Sequence, residues 1–266
     1  MTRSFRAEWL KLARPAVVLG VGGALVLLAL LATVLTFAAA SQSVGAAPLN
    51  NPPLLSTTAQ LAAASGISRG FVIAAGFIGI LVFILFTASI AGEYSQGTLR
   101  ALLTRQPSRA RLLGGKLAAL LVASSLALAA ALAASVALSF ALAAARGIST
   151  ANWLSSAGAG ELGRAYGNAL LTVVLFAVLG ASLGLIVRST VPAVAIGIAW
   201  LMPIEHIVQG VWADAGRWFP GLILDAITRN GTVATSYHRA ILLGLLYTTT
   251  LAAVGVTSFL RRDITT

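Results

Sequence analysis

The chain is divided by apolar runs of about 20 residues or more, each bounded by short polar stretches that hold most of its arginines. A helix needs about 20 apolar residues to cross a hydrocarbon core about 30 Å thick. In that water-free layer a helix satisfies every backbone N–H and C=O within the segment. Six such runs are predicted as spans, over 16–40, 70–91, 117–145, 165–187, 191–210 and 240–260. The composition agrees, with 58% hydrophobic and 9% charged residues against about 25% charged in soluble domains. Strict apolar–polar alternation, the mark of a membrane β-barrel, is missing from these runs. The expected fold class is an all-α polytopic membrane protein of six transmembrane helices in one domain over 1–266.

Residues 1–15 carry Arg3, Arg6, Lys11 and Arg14, with Phe5, Trp9 and Leu12 on one helical face. This suits an amphipathic helix lying on the lipid bilayer surface, although a charged flank that only sets orientation would also be basic. The first apolar run exceeds the 7–15 residues of a secretory signal, so 16–40 is read as a span despite the Ala38-Ala39-Ala40-Ser41 string. Residues 41–69 form a Pro-rich loop with one short helix over 54–64, and 146–164 a second loop. Gly180 and Gly184 make a GxxxG pair in the fourth run, a spacing that allows close helix contact. The fifth run is 12 residues to Met202 before Pro203, so it is expected to break there. An irregular, re-entrant-like segment should follow, then a loop containing Asp225, Arg229 and His238.

The net charge of +11 comes from residues beside the apolar runs, as topology signals do, and gives no reason to expect nucleic acid. Under the six-span layout one side holds Arg3, Arg6, Lys11, Arg14, Arg100, Arg105, Arg109, Arg111, Lys116, Arg188, Arg261 and Arg262. The other holds Arg69, Arg146, Arg164, Arg217, Arg229 and Arg239. Lys and Arg are retained on the cytoplasmic side, so both termini are expected there, in the cytoplasmic membrane of a bacterium.

Catalytic patterns are lacking. There is no H-E-x-x-H and no cysteine, and the histidines number two. Gly114-Gly115-Lys116-Leu117 resembles the tail of a phosphate-binding loop, but Leu117 stands where Ser or Thr would hold Mg²⁺ and Ala110 where a glycine would lead. Glu205 and His206 are the candidates for a pathway or outer gate, because titratable groups near a span mark such roles; an interfacial position is the plainer reading, and no metal site is expected.

The most basic interruption between two spans, 92–116, reads GEYSQGTLRALLTRQPSRARLLGGK. Leu99, Leu102 and Leu103 have helical spacing, and Pro107 suits the first turn of a second short helix. The order Glu93, Gly97-Thr98-Leu99, Leu102-Leu103, Pro107, Ser108-Arg109 and Lys116 resembles the pattern of the type-2 ABC transporter permease family. The amphipathic start, six spans and irregular segment after span five extend the resemblance over most of the chain.

That resemblance implies the membrane subunit of an ATP-driven transporter, usually an exporter, with no cofactor of its own and no enzymatic activity. ATP and Mg²⁺ would sit on a separate ABC ATPase, present in two copies, and a second permease chain, identical or homologous, would complete the assembly. Segment 92–116 would be the coupling helix. Leu99, Leu102 and Leu103 would fill a pocket of the ATPase, while Arg100, Arg105 and Arg109 pair with acids at its rim. Gly97 and Thr98 shape the entry, and Glu93 is placed to pair with Arg109 or Lys116. An amphiphilic cargo (lipid, antimicrobial peptide or drug) is expected. The alternatives are a scaffold or sensor subunit that recruits a cytoplasmic partner, and a membrane-embedded enzyme, which the lack of a catalytic cluster disfavours.

Overall fold

The computed structural model describes residues 2–40, 56–97 and 108–261. Six helices among them are long and apolar enough to cross a membrane: Val18–Ala38, Ala64–Ser95, Arg109–Ala145, Ser156–Val187, Thr190–Val211 and Tyr237–Arg261. The protein is therefore a multi-pass, all-helical membrane protein.

An N-terminal helix α1 (Thr2–Leu12) precedes the first span. That span opens with a turn at Pro15–Val17 and a π-helical stretch at Val18–Gly22, then continues as α2 (Gly23–Ala38). The second is α3 (Arg69–Ser95), led by a 3₁₀ turn at Ala64–Ser68, and the third is α4 (Arg109–Ala145). At 1.5 Å per residue, the 37 residues of α4 extend well past a core of about 30 Å. The fourth, α5, covers Ser156–Val187, so the expected second loop is shorter than its predicted bounds. Ser155 caps α5 by accepting from Gly158 N–H at 3.3 Å.

Helices α3 and α5 form the middle of the bundle. In their most apolar stretches 56% and 61% of residues are buried, against 22–28% in the other four spans. Small residues bring the two together. Gly180 faces the backbone of Phe83 and Gly184 that of Thr87, where any Cβ would collide or crowd. The Thr87 hydroxyl donates to the carbonyls of Phe83 in its own helix and Gly180 in the next, at 2.8 and 3.1 Å. Helix α2 joins α4 through Thr33 and Ser135, whose hydroxyls are 2.7 Å apart.

The fifth span departs from its prediction. Helix α6 (Thr190–Ala199) does not stop at Pro203 but runs through a π-helical turn at Trp200–Ile204 into Glu205–Val211. A π turn shifts the hydrogen-bond register, which lets a helix pass a proline that lacks its N–H. Asp225 and His238 also lie elsewhere than expected, His238 in the first turn of the last span. Asp225 is in helix α7 (Pro220–Thr228) and Arg229 is the residue that caps it. Leu222, Ile223, Leu224, Ala226, Ile227 and Thr228 of α7 are buried against α5 and the last span, α8 (Tyr237–Arg261).

One end of the bundle is sealed by Trp153. Its indole N–H donates to the Leu61 carbonyl at 2.9 Å, and its ring meets Phe37 and Phe140 edge-on at 6.4 and 5.1 Å. Leu61 belongs to the short helix Thr58–Ala62, fixed by a capping box between Thr57 and Gln60. The ends that carry Ser95, Arg109, Val187, Thr190 and Arg261 meet at the opposite pole.

Candidate functional site

At that pole the polar groups converge on the segment joining α3 to α4. Helix α3 leaves its last turn through Gln96 and Gly97; Gly97 N–H donates to Tyr94 O at 3.1 Å, and Gly97 has φ +67°. Glycine takes that left-handed conformation without steric cost, and this is its common place after a helix. Thr98, Leu99, Arg100, Leu102, Leu103, Arg105 and Pro107 lie outside the described residues. The chain resumes with Ser108 in extended conformation and Arg109 opening α4. The helix expected to follow Pro107 is therefore the first part of the third span.

Glu93 and Lys116 bracket the segment and meet. Lys116 Nζ lies 2.6 Å from Glu93 Oε1 and 4.0 Å from Glu8 Oε2. Lys116 is only 5% exposed, so its ammonium has exchanged most of its water for these two carboxylates. Glu8 in turn pairs with Lys11 at 2.6 Å. The result is a chain of charges from α1 to α4 to α3. Lys116 is one of the two partners expected for Glu93, and it meets Glu93 at contact distance. Removing one member of a buried pair is costly because the survivor stays dehydrated.

Further bonds extend this pole to the other spans. Arg109 donates to Phe259 O of α8 at 3.1 Å. Arg188, which ends α5 in the left-handed conformation, donates to Ser258 O at 3.0 Å and stacks over the Tyr94 ring at 5.2 Å. Ser95 and Thr190 bring their hydroxyls to 3.1 Å, joining α3 to α6. The residues flanking the segment are thus tied to α1, α5, α6 and α8. Sequence reasoning missed Glu8, Tyr94, Ser95 and Thr190, and treated Arg188 as a topology signal only. Glu8 offered one clue, as the single acid in an otherwise basic helix.

The remaining candidates sit elsewhere. Phe5 and Trp9 stack at 6.0 Å with planes 8° apart. Trp9 and Leu12 border an apolar cleft of about 530 Å³ between α1, the π-helical stretch and α4. Glu205 is wholly buried. Its two oxygens accept separately from Gly221 N–H at 3.1 Å and Leu222 N–H at 2.9 Å, capping the first turn of α7. His206 is exposed, with Nδ1 2.7 Å from Met202 O. Among the described residues no three His, Asp or Glu side chains group as metal ligands do.

The family model for DUF2705, described as a protein of unknown function, matches residues 26–265. The chain belongs to the DUF2705 family. No curated protein matches it. In this DUF2705 protein the matched stretch takes in Glu93, Lys116, Arg188 and Glu205, and leaves Phe5, Glu8, Trp9 and Leu12 outside.

Proposed function

We propose that this DUF2705 protein is the membrane-embedded permease subunit of a transporter driven by a separate ABC ATPase, with 92–116 as its coupling segment. The observation that carries the reading is the Glu93–Lys116 pair at 2.6 Å. It clamps both roots of that segment together, so a push on the segment turns α3 and α4 as one lever instead of bending a loop. The bonds of Arg109 and Arg188 to the end of α8 carry the same displacement outward to a third span. Rigid helices joined by discrete polar contacts switch between packings as units.

In this reading both termini and the coupling segment are cytoplasmic, in a bacterial cell membrane. Two permease chains, identical or homologous, pair above two ATPase subunits that bind ATP and Mg²⁺. Leu99, Leu102 and Leu103 enter a cleft on the ATPase, and Arg100 and Arg105 meet acids at its rim. Cargo is exported along the interface of the two permeases, and the apolar composition of the spans suits an amphiphile.

Copurification tests the proposal. A tagged wild-type chain taken from its own membrane should bring down a Walker-motif ATPase encoded beside it. Leu102→Asp should lose that partner, and Glu93→Ala should weaken it or lower cargo-stimulated hydrolysis. Wild-type association and turnover in both variants would remove the coupling role.

A further inference from the structure

At the pole away from Glu93 and Lys116, a cavity of about 170 Å³ opens between the start of α3, the first turns of α5 and the end of α7. Three guanidiniums line it: Arg69, Arg164 and Arg229. Arg164 is paired with Glu161 at 3.0 Å and Arg229 with Asp225 at 2.7 Å. Arg69 differs. It is half-buried, its Nε donates to Ser56 Oγ at 2.6 Å, and among the described residues no carboxylate pairs with it. Its electrostatic neighbour is Arg229, a like charge. Three cations against two carboxylates leave the site with one uncompensated positive charge.

A neutral donor completes the wall. Asn168 is 5% exposed, and its Oδ1 accepts from the Tyr237 hydroxyl at 2.6 Å. That bond orients the amide, so its NH₂ is the group left for the cavity. A dehydrated guanidinium beside a like charge is unfavourable by itself. An anion with several oxygens resolves both problems, since the planar guanidinium fork binds two of them at once.

We propose that this cavity binds a phosphate-bearing anion, held by Arg69 and Arg229, with the Asn168 amide as a neutral donor and Arg164 at the margin. The chemistry is shared by a lipid headgroup at the membrane boundary and by free phosphate from the medium. The inference does not depend on the permease reading.

Thermal unfolding of the purified full chain in neutral detergent tests it, at matched ionic strength set with chloride. The probes are inorganic phosphate, dihexanoyl phosphatidylglycerol and dihexanoylglycerol, which lacks phosphate. Phosphate or the phospholipid should raise the unfolding temperature, and dihexanoylglycerol should not. A shift with the phospholipid alone assigns a headgroup; an equal shift with phosphate assigns the free anion.

Arg69→Gln should weaken apparent binding by about tenfold or more, since hydrogen bonds to charged groups are lost. Arg14→Gln, at the other pole, should bind as wild type. Should Arg69→Gln fail to fold, Asn168→Asp keeps the side-chain volume, turns a donor into a carboxylate and should repel the anion. The proposal is overturned by no shift with phosphate or phospholipid, by equal shifts with phospholipid and dihexanoylglycerol, or by wild-type binding in either folded variant.

Discussion

Glu93 and Lys116, 23 positions apart, meet at 2.6 Å where the second span ends and the third begins, and Glu8 approaches the same ammonium to 4.0 Å. A single lysine thereby joins three helices. Losing one partner of a buried pair costs roughly 3–5 kcal/mol when the survivor is left alone. Here Glu8 remains, so Glu93→Ala should fall below that range. Lys116→Met, which removes the ammonium and keeps an apolar stem, should leave the carboxylates of Glu8 and Glu93 without it. Thermal unfolding in detergent ranks the two variants, with Glu93→Ala milder in the double background Glu8→Gln/Lys116→Met than alone.

The middle of the bundle depends on glycine for contact, and two glycines of one helix separate that role from helix propensity. Gly180→Ala puts a methyl into the Phe83 backbone and should destabilise by about 1–3 kcal/mol or more. Gly163, with open space around its Cβ position, should tolerate alanine and gain about 0.5–1 kcal/mol from helix propensity. Unfolding temperatures of the two variants should move in opposite directions.

How much of this was legible beforehand differs by element. The six spans follow from apolar run length, because a bilayer leaves a helix few alternatives. Pro203 misled, since a π turn absorbs a proline and leaves no mark in composition. Helix α7 was hidden for another reason: nine residues are too few to read as a span, and its cap, Glu205, lies 16 positions from Gly221. Of the candidate site, the Glu93–Lys116 pairing was one of two partners anticipated, whereas Glu8 meets Lys116 only through tertiary packing. Gly180 and Gly184 gave a weak signal in a chain with 26 glycines; only the backbone of Phe83 opposite shows their purpose.

Glu205 presents a separate oxygen to each of two N–H groups. Glu205→Gln keeps the shape but replaces one acceptor with a donor, so one N–H faces an NH₂ group. Each unsatisfied buried donor costs about 1–3 kcal/mol. The isosteric variant should therefore be destabilised, and hydrogen exchange should rise at Gly221 and Leu222. Unchanged exchange at these amides would show that the cap does not hold the start of α7.

Trp153 supplies both ring packing and an indole N–H. Trp153→Ala should cost about 3–5 kcal/mol. Trp153→Phe should cost less, about 1–3 kcal/mol, by leaving the Leu61 carbonyl without its donor. Equal losses in chemical-denaturant titrations would assign the whole effect to the hydrogen bond.

The proposed contact of residues 92–116 with an ATPase can be measured directly and cleanly, because the chain contains no cysteine. Arg105→Cys, carrying a short thiol-reactive crosslinker in native membranes, should capture a Walker-motif ATPase. The same position should resist an impermeant thiol reagent added outside intact cells. Val233→Cys, at an exposed position on the other pole, should do the reverse. Labelling of position 105 from outside, or capture of the ATPase from 233 and not from 105, would contradict the account.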